Sequence, residues 1–238
     1  MPRLRIIAGP NGSGKSHLTR KLRTDYQINW GHYVNADDLE TALRNTGRIA
    51  FADFGLSLSG DDFKGFYDTH VLKTKAPADF EVTNGILRLL KPLQEPTYFG
   101  TLLADYLRYR LLEAGETFSF ETVLSGSDKL RFIEKALQTG YRIYLYFVCT
   151  ENPVINIDRI ADRVAKNGHF VPDELVISRY GKTLYNLLPV LHQCRRAYLF
   201  DNSGYGPELV AEKLEDGNLS FNPLYIPEWF RKFVLHRI

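Results

Sequence analysis

The chain has 238 residues, 44% hydrophobic and 24% charged, which is an ordinary globular composition in a length suited to one large domain. Thirty basic residues against 28 acidic ones leave a formal charge of +2, without the electrostatic footprint of a nucleic-acid binder. No apolar run reaches the about 18 residues of a membrane span, so no membrane contact and a cytoplasmic location are expected.

In chain order, "LRIIA" (4–8) reads as a buried strand. The next residues, Gly9-Pro10-Asn11-Gly12-Ser13-Gly14-Lys15-Ser16, match the pattern GxxxxGK[ST] at every position. Glycines let the backbone curl so that successive N–H groups converge on phosphate oxygens. Lys15 can reach the β- and γ-phosphates, and the Ser16 hydroxyl suits Mg²⁺. The helix "KSHLTRKLR" that follows adds its N-terminal dipole. The expected nucleotide contacts are therefore Gly9, Asn11, Gly12, Ser13, Gly14, Lys15, Ser16 and His17.

"HYVNA" (32–36) reads as a second strand, with Asn35, Asp37 and Asp38 at its end. A carboxylate there can accept the proton of a substrate hydroxyl, or it can cap the next helix. The residues leave both roles open, one division being Asp38 at the helix start and Asp37 at the substrate. From 45 to 100 the rhythm breaks into Gly, Asp, Pro and Phe in irregular order, which reads as a partly helical insertion. A helix over 101–114 carries Asp105, and "TFSFE" (117–121) forms a third strand ending at Glu121 and Thr122. A strand-end acid facing a phosphate loop can hold Mg²⁺ through water, or can serve as a cap or surface ion pair.

A helix over 127–139 leads to the strand "RIYLYFV" (142–148), after which Cys149 reads as a buried thiol. The next helix, 153–166, places Arg159 and Arg163 on one face, where they can close over a triphosphate. A solvated helix with Arg159 paired to Asp162 is the alternative. His169 in "NGHFVP" reads as part of a hinge or a substrate contact, and Arg179 on the helix 173–194 as a further positive charge or a surface residue. "RAYLFD" (196–201) is a fifth strand, its Asp201 better suited to a turn than to Mg²⁺. A helix is expected over 206–214, and 217–238 is expected as a C-terminal helical tail, with Trp229, Phe230, Phe233 and Val234 on the packing face of an amphipathic helix. Strands alternating with helices predict an α/β fold, a parallel sheet covered by helices on both faces, as a single domain over 1–238.

The blocks "GPNGSGKS", "YVNADD", "FSFETVLS", "GYRIYLYFV", "RIADRVAKNGHFVP", "RYGKTLYNL" and "LFDNS", in that order, resemble the zeta-toxin family of P-loop kinases over about residues 3–204, the insertion apart. That resemblance implies ATP and Mg²⁺ as cofactors, a sugar hydroxyl of UDP-N-acetylglucosamine as acceptor, and an antitoxin protein as partner. It implies nucleotide and metal roles for Lys15 and Ser16, a general base at Asp37, a metal-side acid at Glu121 and a lid arginine at Arg163. It also sets Asp105 near an acidic substrate contact. Asp37, Asp105, Glu121, Thr122 and His169 are thus the expected substrate residues, and Lys15, Asp37, Arg159 and Arg163 the expected catalytic ones. Where the family often has two glycines before the lid histidine, this chain has Asn167-Gly168-His169. Two alternatives stay open: a nucleotide-dependent regulatory or protein-interaction module with little phosphotransfer, and a kinase for another nucleotide such as a nicotinamide dinucleotide.

Overall fold

The computed structural model describes residues 1–25, 28–165 and 170–238. Along the chain come β1 (Arg3–Ala8), α1 (Lys15–Asp25), β2 (His32–Val34), α2 (Ala36–Thr46), β3 (Arg48–Ala50), α3 (Gly60–Thr69), β4 (Phe80–Thr83), β5 (Ile86–Leu89) and α4 (Pro96–Glu113). The order continues with β6 (Phe118–Thr122), α5 (Ser127–Gln138), β7 (Arg142–Cys149), α6 (Pro153–Val164), α7 (Asp173–Gln193), β8 (Arg196–Asp201), β9 (Glu208–Lys213), β10 (Leu219–Phe221) and α8 (Glu228–Phe233). The alternation read from the sequence is therefore present, and the class is α/β. Two compact units emerge, one of Met1–Asn29 with Glu121–Ile238, the other of Trp30–Phe120.

In the first unit the strand order is β10-β9-β8-β7-β1. β1 runs parallel to β7, with Ala8 opposite Phe147, and β7 runs parallel to β8, with Cys149 opposite Asp201. Five consecutive residues of β1, Leu4 to Ala8, are buried, and so are the last five of β7, Tyr146 among them. Such continuous burial marks strands covered on both faces. Parallel pairing also sets the C-terminal ends of β1, β7 and β8 side by side, and the loops after them form the site described below.

The segment 206–214 corrects the helix expected there: it forms β9, antiparallel to β8, and β10 extends the sheet. Its Glu, Leu and Ala content favours a helix locally. Against that stands the Asp216-Gly217 turn, with Gly217 at φ +93° and Leu214 N–H donating to Asn218. An Asp-Gly turn joins antiparallel strands, and pairing with β8 buries Val210 and Ala211. The tail, expected to be helical, holds β10 as well as α8 and packs onto its own unit. Trp229, Phe230 and Val234 are buried, and the Trp229 indole N–H donates to the Asp201 carboxylate at 2.7 Å.

In the second unit β2 runs parallel to β6, Val34 lying opposite Phe120. The irregular stretch holds α3 and a three-stranded antiparallel sheet in the order β3-β5-β4. Its β4–β5 hairpin turns at Asn84-Gly85, both with positive φ, in the sequence "FEVTNGILRL", a hairpin signal that the expectation of a partly helical insertion passed over. Phe51, Phe63, Phe99 and Tyr106 form its aromatic core, and burial with a hydrogen bond to Asp62 raises the Tyr106 hydroxyl pKa well above the ordinary phenol range.

Candidate functional site: the phosphate loop and its braces

β1 ends at Ala8 and α1 begins at Lys15, so the intervening loop is anchored at both ends by regular structure. The Gly9 N–H donates to the Thr122 carbonyl at 3.3 Å, and the Leu18 N–H donates to the Gly14 carbonyl at 2.9 Å. Lys15 Nζ donates to the carbonyls of Gly9 and Pro10, each at 2.9 Å, which holds its ammonium group at the rim of the loop. Two glycines cannot be replaced here for steric reasons. Gly12 has φ +75° and a Cβ there would meet the Asn156 carbonyl oxygen at 2.5 Å; Gly14 has φ +96° and a Cβ there would meet Asn202 Nδ2 at 2.2 Å. Left-handed backbone and close approach together demand glycine.

Side chains from three later segments converge on this loop. Asn156, fully buried on α6, donates from Nδ2 to the Asn11 carbonyl at 2.5 Å, while its Oδ1 accepts from the Thr150 hydroxyl. Asn202, just past β8, donates from Nδ2 to the Ser13 carbonyl at 2.8 Å. Arg179 on α7 reaches Asn11 Oδ1 at 3.5 Å, so this arginine lies at the loop, the first of the two readings left open for it. Asn156 carries no motif, and Asn202 stands in the block "LFDNS" without a role of its own. The signal that could have found Asn156 is a lone amide on the apolar face of α6, between Asn152, its cap, and Ile160.

The acid after the third strand is engaged at the same place. Glu121 accepts from the Thr19 hydroxyl at 2.8 Å through Oε1, and its Oε2 lies 3.4 Å from Ser16 Oγ. Ser16 and Glu121 are hard oxygen donors of the kind Mg²⁺ takes alongside phosphate oxygens and water. Left-handed backbone at Gly12 and Gly14 curls the loop in the way that lets backbone N–H groups hold an anion. Both features match a nucleoside triphosphate with its cation.

The remaining expected residues lie as follows. His17 is exposed on the first turn of α1. Thr122 is buried, and its hydroxyl accepts from Leu124 N–H, shaping a turn in which Leu124 has φ +62°. Arg159 donates through Nη2 to the Gly204 carbonyl at 3.2 Å, tying α6 to the turn after β8. Arg163 is exposed in the last turn of α6, and His169 lies outside the described residues. Asp201 serves the turn and the tail, accepting from Ser203 N–H, Tyr225 and Trp229. In the second unit, Asp37 is exposed in the first turn of α2; the cap of that helix is Asn35, whose Oδ1 accepts from Asp37 N–H at 3.0 Å. Asp105 is engaged within α4 by Arg108, and by His70 at 3.4 Å.

No family model matches the chain. An uncharacterised protein of Haemophilus influenzae is 32% identical over 63 residues, a match spanning 26% of this chain and 45% of that protein. Among solved structures, an AvrRxo1-ORF1:ORF2 complex with ATP superposes at a TM-score of 0.58 with 16% identity, over 94% of this chain and 61% of the matched one. The same complex with sulphate ions gives 0.58 at 15% identity, over 93% and 61%. The PezAT chromosomal toxin–antitoxin system of Streptococcus pneumoniae gives 0.52 at 13% identity, over 99% and 79%. The chain thus spans less than two thirds of the AvrRxo1 chain it matches, and what is shared at these identities is the fold.

Proposed function

We propose that this protein is an ATP-dependent kinase that transfers the γ-phosphate to a hydroxyl group of a small molecule. The observation that carries the reading is the Thr19–Glu121–Ser16 arrangement beside the Lys15 loop. A loop alone serves hydrolysis, switching or transfer equally. An acid held by a hydrogen bond next to the Ser16 hydroxyl adds a place where a cation can be kept in register with the phosphates.

Bound Mg²⁺ would neutralise charge on the β- and γ-phosphate oxygens. Lys15 adds a positive charge at the loop rim, and the loop N–H groups hold the phosphate chain in line. Arg163, on the solvent side of α6, is the lid charge in this reading. Asp37 is the base that accepts the acceptor hydroxyl's proton, a role resting on its sequence position and exposed carboxylate. Catalysis is then mainly positioning and charge stabilisation.

The acceptor follows from resemblance: a nucleotide sugar such as UDP-N-acetylglucosamine, with nicotinamide dinucleotides as the next class. The structural likeness to a toxin–antitoxin system and to a two-protein complex supports an antitoxin-type protein partner. Incubation with γ-labelled ATP, Mg²⁺ and a small-molecule extract tests the reading. A labelled small molecule supports it. Label released only as free phosphate, with no acceptor modified, would point instead to a nucleotide-dependent binding module.

A further inference from the structure

The two buried amides at the phosphate loop have a directional consequence. In a trans peptide the C=O of one residue and the N–H of the next point in opposite directions, and there is no cis peptide bond among the described residues. Asn156 Nδ2 holds the Asn11 carbonyl and Asn202 Nδ2 holds the Ser13 carbonyl. The N–H of Gly12 must therefore point away from Asn156, and the N–H of Gly14 away from Asn202. We infer that Asn156 and Asn202 are positioning residues: they pin alternate carbonyls outward and so aim the Gly12 and Gly14 amides at the bound phosphates.

Several features agree. Flipping the Asn156 amide would set Oδ1 against the Asn11 carbonyl, oxygen facing oxygen, whereas the observed orientation lets Oδ1 accept from the Thr150 hydroxyl and leaves Nδ2 for the loop. A fully buried amide on the apolar side of an amphipathic helix is costly unless each polar atom is matched, and here both ends are matched. Asn202 is held from its own backbone, its N–H donating to the Cys149 carbonyl at 2.7 Å. The braces come from different segments, α6 and the end of β8, so the loop is gripped from two sides of its own unit. Arg159 lies three residues beyond Asn156 and binds the turn that follows Asn202, which links the two braces to each other.

The inference rests on the nucleotide-binding half of the proposed function and does not depend on transfer. The test therefore reads binding, by calorimetric titration of the full chain with ATP, inorganic tripolyphosphate and adenosine. Asn156→Ala and Asn202→Ala should each weaken ATP and tripolyphosphate by about tenfold, the usual effect of leaving a buried carbonyl unmatched and misaimed. Adenosine affinity should stay within about twofold, because the braces act only on the phosphate contacts. Wild-type affinity for tripolyphosphate in both variants overturns the proposal. So does an equal loss for adenosine, which marks general loosening instead of lost aim. Should the alanine variants not fold, Thr150→Val keeps Asn156 but removes the donor that orients it. About threefold weaker tripolyphosphate binding is then expected, and unchanged binding overturns the inference. A chain that binds ATP but labels no acceptor refutes the kinase reading and leaves this one standing.

Discussion

The Thr19 hydroxyl donates a 2.8 Å hydrogen bond to the Glu121 carboxylate, across 102 positions of the chain. Thr19 lies one helical turn past Lys15 on α1, and Glu121 is the last residue but one of β6. Thr19 is buried, and the bond sets the carboxylate beside Ser16. Glu121→Gln keeps the shape and removes the charge. It should lower Mg²⁺-dependent turnover by on the order of 100-fold, with ATP binding in the absence of Mg²⁺ nearly unchanged. Thr19→Val should act in the same direction but more weakly, and rates measured against Mg²⁺ concentration would separate the two.

Asp37→Ala addresses the base. Transfer to the acceptor should fall by about 10²–10⁴-fold, the range for loss of a general base, while ATP affinity remains close to wild type. Single-turnover transfer measured beside nucleotide titration decides it. Transfer at the wild-type rate would remove Asp37 from the mechanism.

The tail is part of the first unit's core. Trp229→Ala removes a buried ring and its hydrogen bond to Asp201 and should destabilise the chain by about 3–5 kcal/mol. Trp229→Phe keeps most of the packing but loses the donor, at a cost of about 1–2 kcal/mol. Urea unfolding of the two variants would show the order, and a wild-type midpoint for Trp229→Phe would mean that the indole N–H contributes nothing.

Burial pushes the Cys194 thiol up from 9.0 to about 12, with Lys213 pulling the other way. Cys149 is raised further, again by burial. The folded state therefore keeps both protons where the unfolded chain has begun to lose them. The stability linked to Cys194 is fully present below pH 9.0 and declines as pH rises toward about 12. Urea midpoints should fall steadily over that alkaline window, and a thiol reagent at neutral pH should label neither cysteine until the chain unfolds. Rapid labelling of the native protein would contradict the burial of both.

Local chemistry was legible in the sequence wherever contiguous residues carry it. The phosphate loop is written in eight consecutive residues, Gly9 to Ser16, because backbone curvature and a helix start are short-range properties. The strand–helix alternation was legible for the same reason, since burial on both faces leaves unbroken apolar runs such as "IYLYFV". Segment 206–214 was misread because its local helix propensity competes with pairing to β8, and only the assembled sheet offers that edge.

What the tertiary structure decided is which side chains serve the loop. Asn156 meets Asn11 across 145 positions, and Asn202 meets Ser13 across 189. The local patterns of these two amides, one on an apolar helix face and one in a turn, do not say which carbonyl each meets. Their role appears only when parallel pairing brings the ends of β1, β7 and β8 together, because a hydrogen bond depends on distance and direction in space and not on separation along the chain.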